Sequence, residues 1–220
     1  GGAFARAKTR AAKQEGIFTM LFFSRNTAPS GPVEYIIAGL GNPGTKYENT
    51  RHNAGFLAID RVAEKAGASI DRLKFKGLTG QAEVGGKRVL LLKPSTFMNL
   101  SGQSVQEALA FYKLPPSRCI VLFDDISLEP GRMRIRAKGT DGGHNGMKNI
   151  IYLTGHDDIP RIKIGVGKKP NPGWDLADWV LSRFSPADLK ALDPVFDHTA
   201  EAVALIVNGK LQEAQNRFNS

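Results

Sequence analysis

A mostly apolar run from Val33 to Ala38 breaks without warning into Gly39-Leu40-Gly41-Asn42-Pro43-Gly44. Such a run reads as a buried strand. The glycines and proline that follow neither extend it nor pass directly into a helix, so the chain must turn. Beyond the turn, Thr45 to Gly55 delivers His52 between polar neighbours. Gly39-x-Gly41-x-x-Gly44 also matches the dinucleotide-binding fingerprint, in which the last glycine sits in a helix whose first turn meets the pyrophosphate. Here Pro43 interrupts the motif and Thr45 to Arg51 has no apolar periodicity. Helical spacing starts only at Phe56, with Leu57, Ile59, Val62 and Ala63 on one face. Asp60 has the sequence offset of a ribose-binding acid but falls inside that helix rather than after a second strand. These mismatches count against a nucleotide cofactor.

The remaining pattern alternates strands and helices. Leu78 to Val84 and Lys87 to Lys93 flank Gly85-Gly86 as a hairpin. A helix follows, with Ser104 and Glu107 spaced as a capping box and Val105, Leu109 and Tyr112 on one side. Ile120 to Phe123 reads as a buried strand, Arg132 to Arg136 as a half-buried one, and Ile162 to Val166 as the last strand. Between them Gly139 to Gly146 is a glycine-rich loop leading to a short helix through Ile150 and Leu153. Trp174 to Leu181 predicts a short helix whose tryptophans either cover a crevice or pack inward. Ser185-Pro186 reads as a cap and first-turn pair, and Val195 to Val207 as a long amphipathic helix. The expectation is an α/β fold: a single three-layer domain over 31–220, with a mixed twisted sheet between helices. Residues 1–30, small, basic and unpatterned, read as a tag-like or disordered extension. They carry five basic side chains and one acidic, leaving +5 of the chain's +9 on the remainder. A basic surface of this kind suits a polyanionic partner.

Asn42, His52, Asn53, Asn99, Asp124, His144 and Asn145 all stand at or just beyond strand ends, where open α/β sheets collect ligands. Around them lie four motifs: Gly39-x-Gly41-Asn42-Pro43-Gly44, Thr50-Arg51-His52-Asn53-Ala54-Gly55, Thr96-Phe97-Met98-Asn99-Leu100-Ser101-Gly102 and Gly142-Gly143-His144-Asn145-Gly146. In order and spacing the chain resembles the bacterial-type peptidyl-tRNA hydrolase family from about residue 33 to 218. That resemblance implies cleavage of the ester between a peptide and the terminal ribose of tRNA, without metal or organic cofactor, by a protein that is usually monomeric. It also implies contacts with the tRNA acceptor stem, the 3′ CCA end and the nascent peptide.

Ester hydrolysis near neutral pH needs a base that titrates there, which makes His52 the candidate general base. By resemblance Asp124 orients its imidazole. Asn42 and Asn99 offer amide donors for the oxyanion or the substrate carbonyl. Asn145 resembles the residue that grips the peptide backbone or positions the water. Tyr47, Phe97, Met98 and His144 are expected beside the substrate, with core packing as the other reading of Phe97 and Met98, and loop support as that of His144. Arg136, Lys138 and Lys163 are the expected tRNA contacts, near Arg132, Arg134, Lys148, Arg161, Lys168 and Lys169. The family typically carries Lys and Arg where this chain has Arg136 and Lys163. Its glycine-histidine run is replaced here by Lys138-Gly139-Thr140-Asp141.

Other chemistries fit less well. No Gly-x-Ser-x-Gly elbow occurs. Cys119 lies within a strand pattern, and one cysteine allows no intrachain disulfide, as suits a reducing, cytoplasmic setting. His52, His144, His156 and His198 have no metal-ligand spacing, and no apolar stretch reaches the roughly 20 residues that span a bilayer. The rival that stays open is a non-catalytic RNA-binding relative of the intron-splicing type.

Overall fold

The computed structural model describes residues 31–220, so the extension expected over 1–30 lies outside the described residues. Seven strands, β1 (Tyr35–Gly39), β2 (Arg72–Lys74), β3 (Gly77–Val84), β4 (Lys87–Pro94), β5 (Cys119–Asp125), β6 (Met133–Arg136) and β7 (Arg161–Gly165), form one sheet in the order β2-β3-β4-β1-β5-β7-β6. The central four, β4, β1, β5 and β7, are parallel. β3 and β6 run antiparallel on either flank, and β2 pairs antiparallel with β3 at one edge. The sheet is mixed, as expected.

Helices cover both faces: α1 (Ala54–Ala66), α2 (Ser101–Tyr112), α3 (Asn145–Thr154), α4 (Leu176–Val180), α5 (Pro186–Val207) and α6 (Leu211–Phe218). Alternate residues of β1 point to opposite sides. Ile37 joins the core built with α1, α5 and α6, whereas Ile36 and Ala38 join the one built with α2 and α3. Both isoleucines are wholly buried, each contributing about 1.5–3 kcal/mol of transfer free energy. The chain leaves β1 over one face through α1 and crosses from β4 to β5 over the other through α2. β1 therefore lies at a reversal of winding, the place where such sheets open a crevice.

Local chemistry explains the joints. Gly85 and Gly86 both adopt positive φ, 59° and 75°, as the two-residue hairpin turn between β3 and β4 requires. A Cβ on Gly39 would lie 2.4 Å from the Gly55 carbonyl oxygen, and one on Gly55 would lie 2.3 Å from that of Leu122. These glycines bring α1 against β1 and β5. Gly44 is followed by a 3-10 turn, Thr45–Tyr47, and no α-helix starts between it and Ala54, which removes the geometric basis of the dinucleotide reading.

Two sequence expectations need correction. The helix after the first loop starts at Ala54 rather than Phe56, because a 3-10 turn over Arg51–Asn53 runs straight into it. Ser104 and Glu107 form no capping box: α2 starts at Ser101, continuous with the 3-10 turn Met98–Leu100. Ser104 lies inside the helix with its buried hydroxyl unpartnered, and nothing in the structure explains that hydroxyl. Glu107 pairs with Lys76 at 3.2 Å instead. The Ser185 cap does form, with Asp188 completing it reciprocally. Among the described residues, no helix is long and apolar enough to cross a membrane.

Candidate active site

The carboxyl ends of β1, β4 and β5 bring Asn42, Asn99 and Asp124 to one side of the sheet, and the turn before α1 adds His52. His52 Nδ1 lies 2.9 Å from Asp124 Oδ2 and 3.0 Å from Oδ1. A carboxylate only accepts, so Nδ1 carries the proton and Nε2 keeps a lone pair. Burial alone would lower the basicity of His52, but the Asp124 carboxylate, by charge and hydrogen bond, outweighs it and holds the imidazole above its ordinary value. Burial would likewise raise the Asp124 carboxyl, yet the His144 and His52 rings facing it hold it well below the usual carboxylate range.

His144 is the other partner of that carboxylate. Its Nε2 donates to Asp124 Oδ1 at 2.8 Å, and its Nδ1 accepts the Met147 backbone N–H at 3.2 Å as the cap of α3. Both ring nitrogens are thus occupied, whereas His52 keeps one free. The two rings stand 5.0 Å apart between centroids. Sequence spacing offers no hint of a metal centre, yet the fold gathers ligand atoms of His52, Asp124 and His144 within 4.8 Å of one another. Those atoms already satisfy each other by hydrogen bonds, which a cation seated there would have to displace.

Asn42 is fixed with equal care. The Met98 N–H donates to its Oδ1 at 2.8 Å, which assigns Nδ2 as the outward donor. Its backbone is held at both ends by Asn53, whose Oδ1 accepts the Asn42 N–H at 2.8 Å and whose Nδ2 donates to the Asn42 carbonyl at 3.0 Å. Sequence reasoning groups Asn53 with the polar cluster but gives it no task; its adjacency to His52 is the only signal. Phe97, one residue before Met98, has φ 60° and ψ 158°, a region that only glycine occupies without strain. Its ring is half-exposed and meets the edge of Tyr47 at 6.4 Å.

These groups line a cavity of 570 Å³, a size typical of ligand sites. One wall is apolar, made by Phe97, Met98, Phe123, Leu176 and Val180 of α4, and Leu181 just beyond it. Of the two tryptophans considered as a cover, Trp179 is buried and donates its indole N–H to the Gly167 carbonyl at 2.9 Å, while Trp174 stays half-exposed. The Arg51 guanidinium stacks on Trp179 at 3.7 Å and binds Ser182, the Arg183 carbonyl and Asp188. The residue before His52 is thereby tied to the segment that follows α4.

Asn145 and Asn99 are exposed on the cavity rim. Lys163 reaches the same cavity and lies 3.5 Å from Asp125. Arg136 and Lys138 are exposed at the β6 edge of the sheet, with Arg134 beside Lys163 in register. Arg161, grouped with these cations by sequence, is instead buried and donates to the carbonyls of Ile159, Gly139, Thr140 and Asp157. It braces the glycine-rich loop from within. Cys119 is buried too, and burial pushes its thiol up to about 12, which removes it as a nucleophile.

The family model described as peptidyl-tRNA hydrolase matches residues 36–220. A protein of that name from Agathobacter rectalis is 53% identical over 186 residues, spanning 84% of this chain and 100% of its own. Another, from Caldanaerobacter subterraneus subsp. tengcongensis, is 52% identical over 185 residues, with 84% and 99% covered. The crystal structure of peptidyl-tRNA hydrolase from Acinetobacter baumannii superposes with a TM-score of 0.80 at 34% identity, covering 87% of this chain and 98% of that one.

Proposed function

The chain belongs to the peptidyl-tRNA hydrolase family, and we propose that it hydrolyses peptidyl-tRNA with His52 as the general base. The observation that carries this reading is that, of the two rings facing Asp124, His52 alone keeps a ring nitrogen, Nε2, without a partner, at a cavity that also receives the Asn42 amide. Nε2 takes a proton from water as its oxygen attacks the ester carbonyl carbon. The imidazolium that forms is stabilised by Asp124, which His144 holds in place. The Asn42 Nδ2–H donates to the carbonyl oxygen as it becomes negative, a contact worth about 3 kcal/mol in comparable sites. When the tetrahedral adduct collapses, the ester C–O bond breaks, the peptide leaves as a carboxylic acid and the imidazolium proton passes to the ribose oxygen.

Asn99 and Asn145 bind polar groups of the substrate at the rim, and the Phe97–Met98 and α4 wall accepts the peptide beside Tyr47. Arg136, Lys138 and Lys163 hold phosphates of the acceptor stem and CCA end. The protein acts as a monomer in the cytoplasm without a metal. A non-catalytic RNA-binding role is not favoured, since the relatives share the hydrolase name and every group the reaction needs is present. The test is release of tRNA from an N-acetylated aminoacyl-tRNA in the presence of chelator. His52→Ala should abolish turnover while leaving tRNA binding intact; an unchanged rate would rule His52 out.

A further inference from the structure

A second cavity, of 460 Å³, adjoins the first and shares Asn99, Asp141 and Asn145 with it. Its outer part is formed by Lys148, Asn149 and Tyr152. Asn145, Lys148, Asn149 and Tyr152 are spaced to share one face of α3, which leads away from the reaction centre for roughly 10 Å at 1.5 Å per residue. Tyr152 is 81% exposed, a large aromatic surface left open to solvent. Among the described residues it meets no other ring, and Lys148 makes no ion pair. Asp141 Oδ1 accepts the Gly143 N–H at 2.7 Å, which leaves Oδ2 available. None of the apolar residues of α4 reaches this side.

From this division we infer that the second cavity holds the terminal ribonucleotide of the tRNA. The inference rests on the hydrolase reading of the neighbouring site. The base stacks on Tyr152, Lys148 faces the nucleotide's phosphate, and Asp141 Oδ2 accepts a hydrogen bond from a ribose hydroxyl, as acidic residues do in other nucleotide sites. Asn99 and Asn145 stand where the two cavities meet, at the junction of ribose and peptide. The substrate therefore bends there, with peptide against α4 and nucleotide along α3.

Two measurements test the assignment. For N-acetylated aminoacyl-tRNA, Tyr152→Ala should raise KM roughly five- to hundredfold with kcat changed less than about twofold, and Tyr152→Phe should restore the wild-type value. Adenosine 5′-monophosphate, titrated without any turnover, should shift the NMR signals of Tyr152 and Lys148. Asp141→Ala should erase its preference over the 2′-deoxy compound. An unchanged KM in Tyr152→Ala, or shifts that fall elsewhere or fail to occur at millimolar nucleotide, would overturn the inference. If the wild type binds the nucleotide at Tyr152 but hydrolyses nothing, the subsite stands and the catalytic reading falls. Hydrolysis accompanied by shifts elsewhere removes the subsite and leaves the catalytic reading in place.

Discussion

Asp124→Asn separates the charge of the buried carboxylate from its shape. Asp124 Oδ1 lies 3.0 Å from His52 Nδ1 and 2.8 Å from His144 Nε2, so an amide oxygen at that position still faces both rings, while the amide NH2 takes the Oδ2 position, 2.9 Å from His52 Nδ1, and competes to donate to it. The negative charge that faces His52 disappears, and the amide donor favours the tautomer whose Nε2 carries the proton and cannot serve as the proposed base. Opposite charges with centres about 4 Å apart interact by roughly 4 kcal/mol at an effective dielectric constant of 20. Loss of most of that interaction predicts a fall in kcat/KM of about 10²–10³-fold.

The pH profile is the sharper readout. A general base works when neutral, so on the proposed role of His52 wild-type activity should rise with pH through a pKa above the ordinary 6.5. Without the carboxylate's charge, burial is left unopposed and the inflection should move below 6.5. The assay is a profile of kcat/KM for N-acetylated aminoacyl-tRNA from about pH 5 to 9. An inflection that stays in place, or a rate within about tenfold of wild type, would refute the claim that Asp124 acts through its charge on His52.

Three other perturbations follow from the same geometry. Phe97→Gly should raise stability by about 1 kcal/mol, since relieved strain exceeds glycine's entropic cost, yet raise KM for the peptide; urea midpoints and kinetics read the opposing signs, and a loss of stability would show the backbone unstrained. Asn53→Ala removes both hydrogen bonds to the Asn42 backbone and should cost about 1–3 kcal/mol of stability, with a lower kcat and little change in KM; a kcat equal to wild type would detach Asn53 from Asn42's orientation. Arg136→Ala combined with Lys163→Ala should weaken tRNA binding and flatten the log Kd against log salt plot by roughly 1.5 units, and an unmoved slope would exclude them as phosphate contacts.

The parts of the fold legible in the sequence are those governed by local pattern. β1, β4 and β5 are each built on an apolar run, and Gly85-Gly86 sets the hairpin register through its own backbone preference. β2 carries no such signal because all three of its residues are exposed, so no burial pattern marks them. The start of α2 escapes the local pattern because Ser101 enters the helix from a preceding 3-10 turn, a tertiary arrangement around Asn42 that outranks the Ser104–Glu107 spacing. The site residues are legible as polar groups at strand ends and through the family's motifs. The sharing of Asp124 between His52 and His144 is not, because those residues lie 72 and 20 positions from it. Arg161 defeats sequence reasoning for a related reason: its partners are backbone carbonyls, which carry no residue-type signature.

The tie between Arg51 and the Ser182–Asp188 segment spans 131 to 137 positions of sequence. Phe184 also donates its N–H to the Asn49 carbonyl at 2.8 Å. During synthesis, the loop bearing His52 is therefore made long before the residues that anchor it. Until Ser182 to Asp188 have been made, the growing chain lacks the contacts that fix Arg51, the residue before His52. The loop before α1 is thus held in place only once the segment beyond α4 has been made and folded back against it, so the residues around His52 do not build their own site.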